Sequence, residues 1–170
     1  IDIQKNRFVI QVMGWGRQLE HWIVDRYSLH TSTRCDANGT MLPLDPAAFL
    51  EDWERLIEKV ITRRYPLDDN SGRSMPVLFV TSDSGGKLGV TTRAYDFWRS
   101  LKQRNLHRRF RLVKGASTDK APRVEETYPD TRKRKGSASG ASGDVPVLMV
   151  NTTIIKDAIA SNLGRTTQIG

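Results

Sequence analysis

Residues 7–14 alternate in character. Phe8, Ile10 and Val12 fall on one side, while Arg7, Val9, Gln11 and Met13 fall on the other, which is the two-residue period of a half-buried strand. Residues 1–4 read as the end of a preceding strand, with Lys5-Asn6 as the tight turn between. Gly14-Trp15-Gly16-Arg17 breaks the alternation, and residues 21–29 resume it with Trp22 and Val24. Three strands joined by short turns predict an antiparallel meander. Residues 31–40 are polar, with Asn38-Gly39 as a turn signal.

The period then changes. Asp45 offers a helix cap and Pro46 suits a first helical position. Phe49, Leu50, Trp53, Leu56, Ile57, Val60 and Ile61 recur at three- and four-residue steps, forming one apolar stripe. After a polar connection over 66–74, the run Val77-Leu78-Phe79-Val80 predicts a central strand buried on both faces, ending in Thr81-Ser82-Asp83-Ser84-Gly85-Gly86. A second helix over 91–104 turns Ala94, Phe97, Trp98 and Leu101 inward, and residues 108–113 read as another strand. Residues 116–144 show little periodicity and end in a Gly/Ser-rich stretch, the composition of a flexible loop. A last strand over 145–150 leads to a helix capped by Asn151 or Thr152. That helix carries Ile154, Ile155, Ala158, Ile159 and Leu163, and Gly164 is expected to stop it.

This order predicts an α/β domain: an antiparallel three-strand meander plus parallel crossover strands in one mixed sheet, with flanking helices. It is the order of the RNase H-like fold, which by itself implies no function. The 170 residues, 38% of them hydrophobic, suit a single domain over 1–170. The chain opens on Ile1 inside an alternating stretch, so it reads as a domain cut from a longer protein and truncated at both ends.

Charge adds a partner class. Twenty-seven Lys and Arg against 19 Asp and Glu give a net charge of +8, which favours a polyanion, although a basic surface that binds nothing is equally compatible. Several chemistries drop out. Cys35 is the only cysteine, so there is no internal disulfide and no thiolate zinc site, and it has no histidine partner to make it a nucleophile. His21, His30 and His107 have no metal-ligand spacing. No run approaches the roughly 20 apolar residues that span a bilayer. Gly85-Gly86-Lys87 lacks the spacing of a phosphate-binding loop, so no ATP binding is expected.

Two acids sit at strand ends: Asp2 on the first strand and Asp83 at the carboxyl end of the buried one. If those strands adjoin, the two carboxylates project into one crevice, where mutual repulsion calls for a shared proton or a bound cation. Mg²⁺ takes such oxygens and keeps positions for water and phosphate. Taken singly, Asp2 also reads as a surface acid and Asp83 as a turn residue or helix cap. Lys114, beside Gly115 at a strand end, is placed either to meet a phosphate or simply to be solvated. For a DNA surface the candidates are Arg108 and Arg109, within a cluster with Lys102, Arg104, His107 and Arg111, and the run Arg132, Lys133, Arg134 and Lys135. A helix end also attracts cations for dipole reasons, and charge runs are commonly solvated.

An ordered set of motifs carries a resemblance. Ile1-Asp2-Ile3-Gln4 with Arg7, Val12-Met13-Gly14-Trp15-Gly16, Trp53 with Leu56, Ser82-Asp83-Ser84-Gly85-Gly86, Ala94-Tyr95-Asp96-Phe97, Val113-Lys114-Gly115, Lys156-Asp157 and Leu163-Gly164-Arg165 run in the order found in lambda-like phage terminase large subunits. Across nearly its whole length the chain resembles their nuclease domain. The resemblance implies an RNase H-like, metal-dependent endonuclease that cuts concatemeric viral DNA during packaging in the host cytoplasm. It makes Asp2 and Asp83 the first two ligands of a centre holding Mg²⁺ or Mn²⁺, with two ions. Its partners would be double-stranded DNA, the terminase small subunit, the portal and the protein's own ATPase domain upstream of Ile1. The family's third acid lies in an acidic, Ala-rich helix that has no counterpart here; Asp157 is the stand-in, or else a helix-surface acid beside Lys156. The rival readings are a resolvase- or integrase-type enzyme on the same fold, and a non-catalytic basic module that docks DNA or a partner.

Overall fold

A computed structural model describes residues 1–86, 88–129 and 142–166. The predicted meander forms: β1 (Asp2–Gln4), β2 (Arg7–Trp15) and β3 (His21–Leu29) pair antiparallel in that order. Asp2 lies opposite Val9, Gln4 opposite Arg7, and Gln11 opposite Arg26. A bulge beside Val12 and Met13 leaves Val24 as the extra residue on β3.

Two hairpins fill segments whose sequence reads only as polar. The first is β4 (Thr31–Cys35) with β5 (Met41–Pro43), turned by Asp36, whose Oδ1 accepts from the amides of Asn38 and Thr40. The helix α1 (Leu50–Leu56) starts later than Pro46 predicts. Asp45 closes a separate turn instead, because its carbonyl already accepts from the amides of Ala48 and Phe49. A π-helical turn, Ile57–Ile61, ends α1. The second hairpin, β6 (Arg64–Pro66) with β7 (Ser74–Pro76), packs against β3, where Tyr65 and Arg63 both reach Asp25.

The central strand corrects the sequence reading. It is β8 (Val80–Asp83), and Leu78 and Phe79 are 68% and 52% exposed. The amide of Val77 donates to the carbonyl of Arg63, so this stretch prolongs the β6–β7 hairpin and only Val80 onward joins the core. There follow α2 (Val90–Gln103), β9 (Phe110–Gly115), β10 (Val124–Thr127), β11 (Val147–Val150) and α3 (Thr152–Thr166). β10 is a strand inside 116–144 that the weak periodicity did not announce. Gly164 does not stop α3, since a helical glycine costs only about 1 kcal/mol.

The result is mixed α/β. β8, β9 and β11 run parallel, and β10 closes their sheet antiparallel in the order β10-β11-β9-β8. Two backbone hydrogen bonds join this sheet to the meander. The Ile1 nitrogen donates to Thr81 O at 2.7 Å, and the Asp83 amide donates to Ile1 O. That is the spacing of a parallel ladder, so β1 and β8 are neighbouring strands. Strands therefore follow one another as β3-β2-β1-β8-β9-β11-β10. On one side the core gathers, and an aromatic series crosses it: Phe8 to Trp53 at 5.4 Å, Trp53 to Phe97 at 5.7 Å and Phe97 to Phe110 at 5.3 Å. These rings belong to β2, α1, α2 and β9, so both helices lie over the same face. On the opposite face the strand residues from β3 to β11 are all exposed or half-buried.

Candidate active site

Alternation decides where the strand-end acids point. In β1, Ile1 and Ile3 pack on the core, which turns Asp2 and Gln4 to the bare face. In β8, Val80 and Ser82 are buried, so Thr81 and Asp83 turn the same way. The junction places Ile1 opposite Ser82, and one residue further on Asp2 comes level with Asp83 on the adjacent strand. Neighbouring strands lie about 4.8 Å apart, so the two acids share one patch of the surface. Burial lowers the proton affinity of the Ile1 ammonium, and Asp2 and Asp83 both pull it back up, as two carboxylates near one point must.

Each carboxylate is held by one hydrogen bond from its own strand end. The Gln4 Nε2 donates to Asp2 Oδ2 at 2.6 Å, and the Gly85 amide donates to Asp83 Oδ1 at 2.9 Å. Among the described residues neither acid forms an ion pair. The loop after β8 is fixed by Ser84, whose amide and hydroxyl both donate to Val113 O, while its carbonyl accepts from Thr91 Oγ1. Gly89 is required there: its φ is +95°, and a Cβ would come 2.5 Å from Ala47 O. A shallow cavity of about 210 Å³ opens beside Asp83, bordered by Gln4, Lys5, Gly85, Gly86 and Val90.

Residues 1–169 match a family model described as terminase large subunit gpA, endonuclease domain. The chain belongs to that family. No curated protein and no solved structure matches it.

Within this terminase endonuclease domain the other candidates are scattered. Lys114 follows Val113, the β9 partner of Asp83. Gly85 separates the two side chains, since a Cβ there would lie 3.4 Å from Asp83 Oδ1 and 4.0 Å from Lys114 Cγ. Asp157 lies exposed on α3, and among the described residues no group of three or more His, Cys, Asp or Glu side chains gathers. Arg108 and Arg109 occupy a 3₁₀ turn at the start of β9, separated from Val113 by about 10 Å of strand from Phe110 onward. Arg132, Lys133, Arg134 and Lys135 lie outside the described residues. Among the described residues no helix is long and apolar enough to cross a membrane.

Sequence reasoning missed Gln4 and Ser84. Gln4 was legible, since it follows Asp2 at the two-residue period. Ser84 was not, because its partner Val113 is 29 positions away.

Proposed function

We propose that this domain hydrolyses phosphodiester bonds of duplex DNA with Mg²⁺ or Mn²⁺ held by Asp2 and Asp83, on an RNase H-like sheet. The observation that carries the reading is the pair itself: two acids level with each other on adjacent strands, each oriented by a hydrogen bond and neither in an ion pair among the described residues. The strand order supports the fold assignment, because the element order predicted a meander and parallel crossover strands in one mixed sheet, and β1 adjoins β8.

The donor set fits a hard divalent cation, which binds through one or two carboxylates and fills its other positions with water and phosphate oxygens. A bound ion supplies Lewis-acid stabilisation and a water of lowered pKa. Gln4 and the Gly85 amide keep the carboxylates aimed outward, and the open face leaves room for a duplex. Lys114, on the far side of Gly85 from Asp83, would have to reach across the loop to offer a cation to charge developing on phosphate oxygens. Two ions would call for a further carboxylate; Asp157 is the acid we assign to that role, and it would have to approach from α3. Family membership extends the reading to cutting concatemeric phage DNA in the host cytoplasm, with the small subunit, the portal and an ATPase domain as partners.

Plasmid nicking with Mn²⁺ tests this. The wild-type chain nicks, and Asp83→Ala and Asp2→Ala reduce nicking to that of a mock preparation. Cutting that persists in either variant above the mock would overturn the mechanism. DNA behaviour unchanged by both substitutions would leave a non-catalytic docking module.

A further inference from the structure

The bare face of the meander carries two arginines to which no role has been given above. Arg7 lies opposite Gln4, and Asp2 lies opposite Val9, so Arg7 sits two residues to one side of the acid along the strands. Arg26 lies opposite Gln11, two residues to the other side. Both are exposed, and both belong to the same face as Asp2, since Phe8, Ile10 and Tyr27 take the inward positions. At about 3.4 Å per residue each is about 7 Å from the level of Asp2, and the two are about 14 Å apart along the strands. That span matches about four base pairs of a duplex.

Arg34, Arg63, Arg93, Arg99 and Arg104 are each tied to a carboxylate. Arg7 and Arg26 have no carboxylate within ion-pair distance among the described residues, and Gln4, Gln11 and Ser28 surround the half-buried Val9 between them. Two guanidiniums one and two strands from Asp2, offset to opposite ends along the strand axis, complement a backbone whose phosphates continue past the bond to be cut.

We propose that Arg7 and Arg26 grip the phosphate backbone beside the acidic pair, one beyond each end of its level along the strands, so that the duplex crosses the bare face of the meander. This rests on the reading of DNA as the substrate, but it concerns binding and not cleavage. The test is therefore done in EDTA, with a labelled duplex of about 20 base pairs titrated across a salt series. Arg7→Gln/Arg26→Gln is compared with Lys59→Gln/Arg73→Gln, which removes the same charge from a helix-side turn and from the loop between β6 and β7.

The first double variant should bind on the order of 10- to 100-fold more weakly at 0.1 M salt, and its log–log salt slope should fall by about 2. The second should bind like wild type, and Arg7→Lys/Arg26→Lys should recover most of the loss. Circular dichroism melts matched to wild type show that the variants are folded. Wild-type binding by the first double variant, equal loss in both, or no duplex binding by the wild-type chain overturns the proposal. Because no cleavage is read, a failure of metal catalysis in the nicking assay leaves this result standing, and the reverse also holds.

Discussion

The least expected residue is Asp52. It is fully buried, and its carboxylate accepts from Ser32 Oγ, from the Asp45 amide at 2.6 Å and from Arg34 Nε and Nη2 at 3.3 and 3.0 Å. One side chain thereby joins β4, the turn at Asp45 and α1. Asp52→Ala leaves Arg34 and the Asp45 amide without their acceptor, so we expect a loss of about 3 kcal/mol in urea denaturation. A loss below about 1 kcal/mol would mean that water replaces the carboxylate freely. The apolar stripe marked Trp53 and Leu56 as inward, but nothing local marked Asp52, because its partners Ser32 and Arg34 lie 20 and 18 positions away. Asp2 and Asp83 were legible as strand-end acids for the opposite reason: the hydrophobic pattern of each one's own segment and the turn that follows place them there.

Among elements, α2 is tied to the segment before β11 by one bidentate pair. Arg99 Nε and Nη2 donate to the two oxygens of Asp144, each at 2.8 Å, and the guanidinium holds the Asp144 carboxyl far below its ordinary value. A carboxylate depressed in the folded state stabilises fully above its unfolded pKa, here 3.8, and that contribution fades as pH falls through the folded value. With side chains 29% and 39% exposed, the pair is worth about 1 kcal/mol or less. Arg99→Gln should therefore lower the melting temperature by about 2–4 °C at pH 7, and the gap should narrow from pH 4 downward. A gap unchanged in acid would detach the effect from Asp144. The long elements were readable because seven or more periodic positions outvote local noise. The hairpins β4–β5 and β6–β7 were not, since three-residue strands such as β5, β6 and β7 hold too few alternations to register. The start of β8 was misread because hydrophobicity cannot tell a run that prolongs a hairpin from one that enters a core.

Across the whole molecule, the seam between β1 and β8 matters most. Two like charges meet there, so a cation binding across Asp2 and Asp83 should brace the meander against the parallel strands. An ion at 100 times its dissociation constant adds about 2.7 kcal/mol, and wild type should melt several degrees higher in Mn²⁺ than in EDTA. Asp83→Asn should lose that increment while melting in EDTA no lower than wild type, because it removes repulsion. Equal Mn²⁺ shifts in the two proteins would place the ion elsewhere.

Periodicity alone determined that a meander comes first, that two apolar-striped helices pack on the sheet, and that acids stand at two strand ends; these are statements about neighbours a few positions apart. Tertiary structure decided that residues 2 and 83 adjoin, that Arg7 and Arg26 share their face on the next two strands, and that among the described residues the strand positions of this face are exposed or half-buried. Such facts depend on which strand edges pair across 80 residues of chain, and backbone hydrogen bonds, being the same for every residue type, leave no mark in the sequence that specifies the choice.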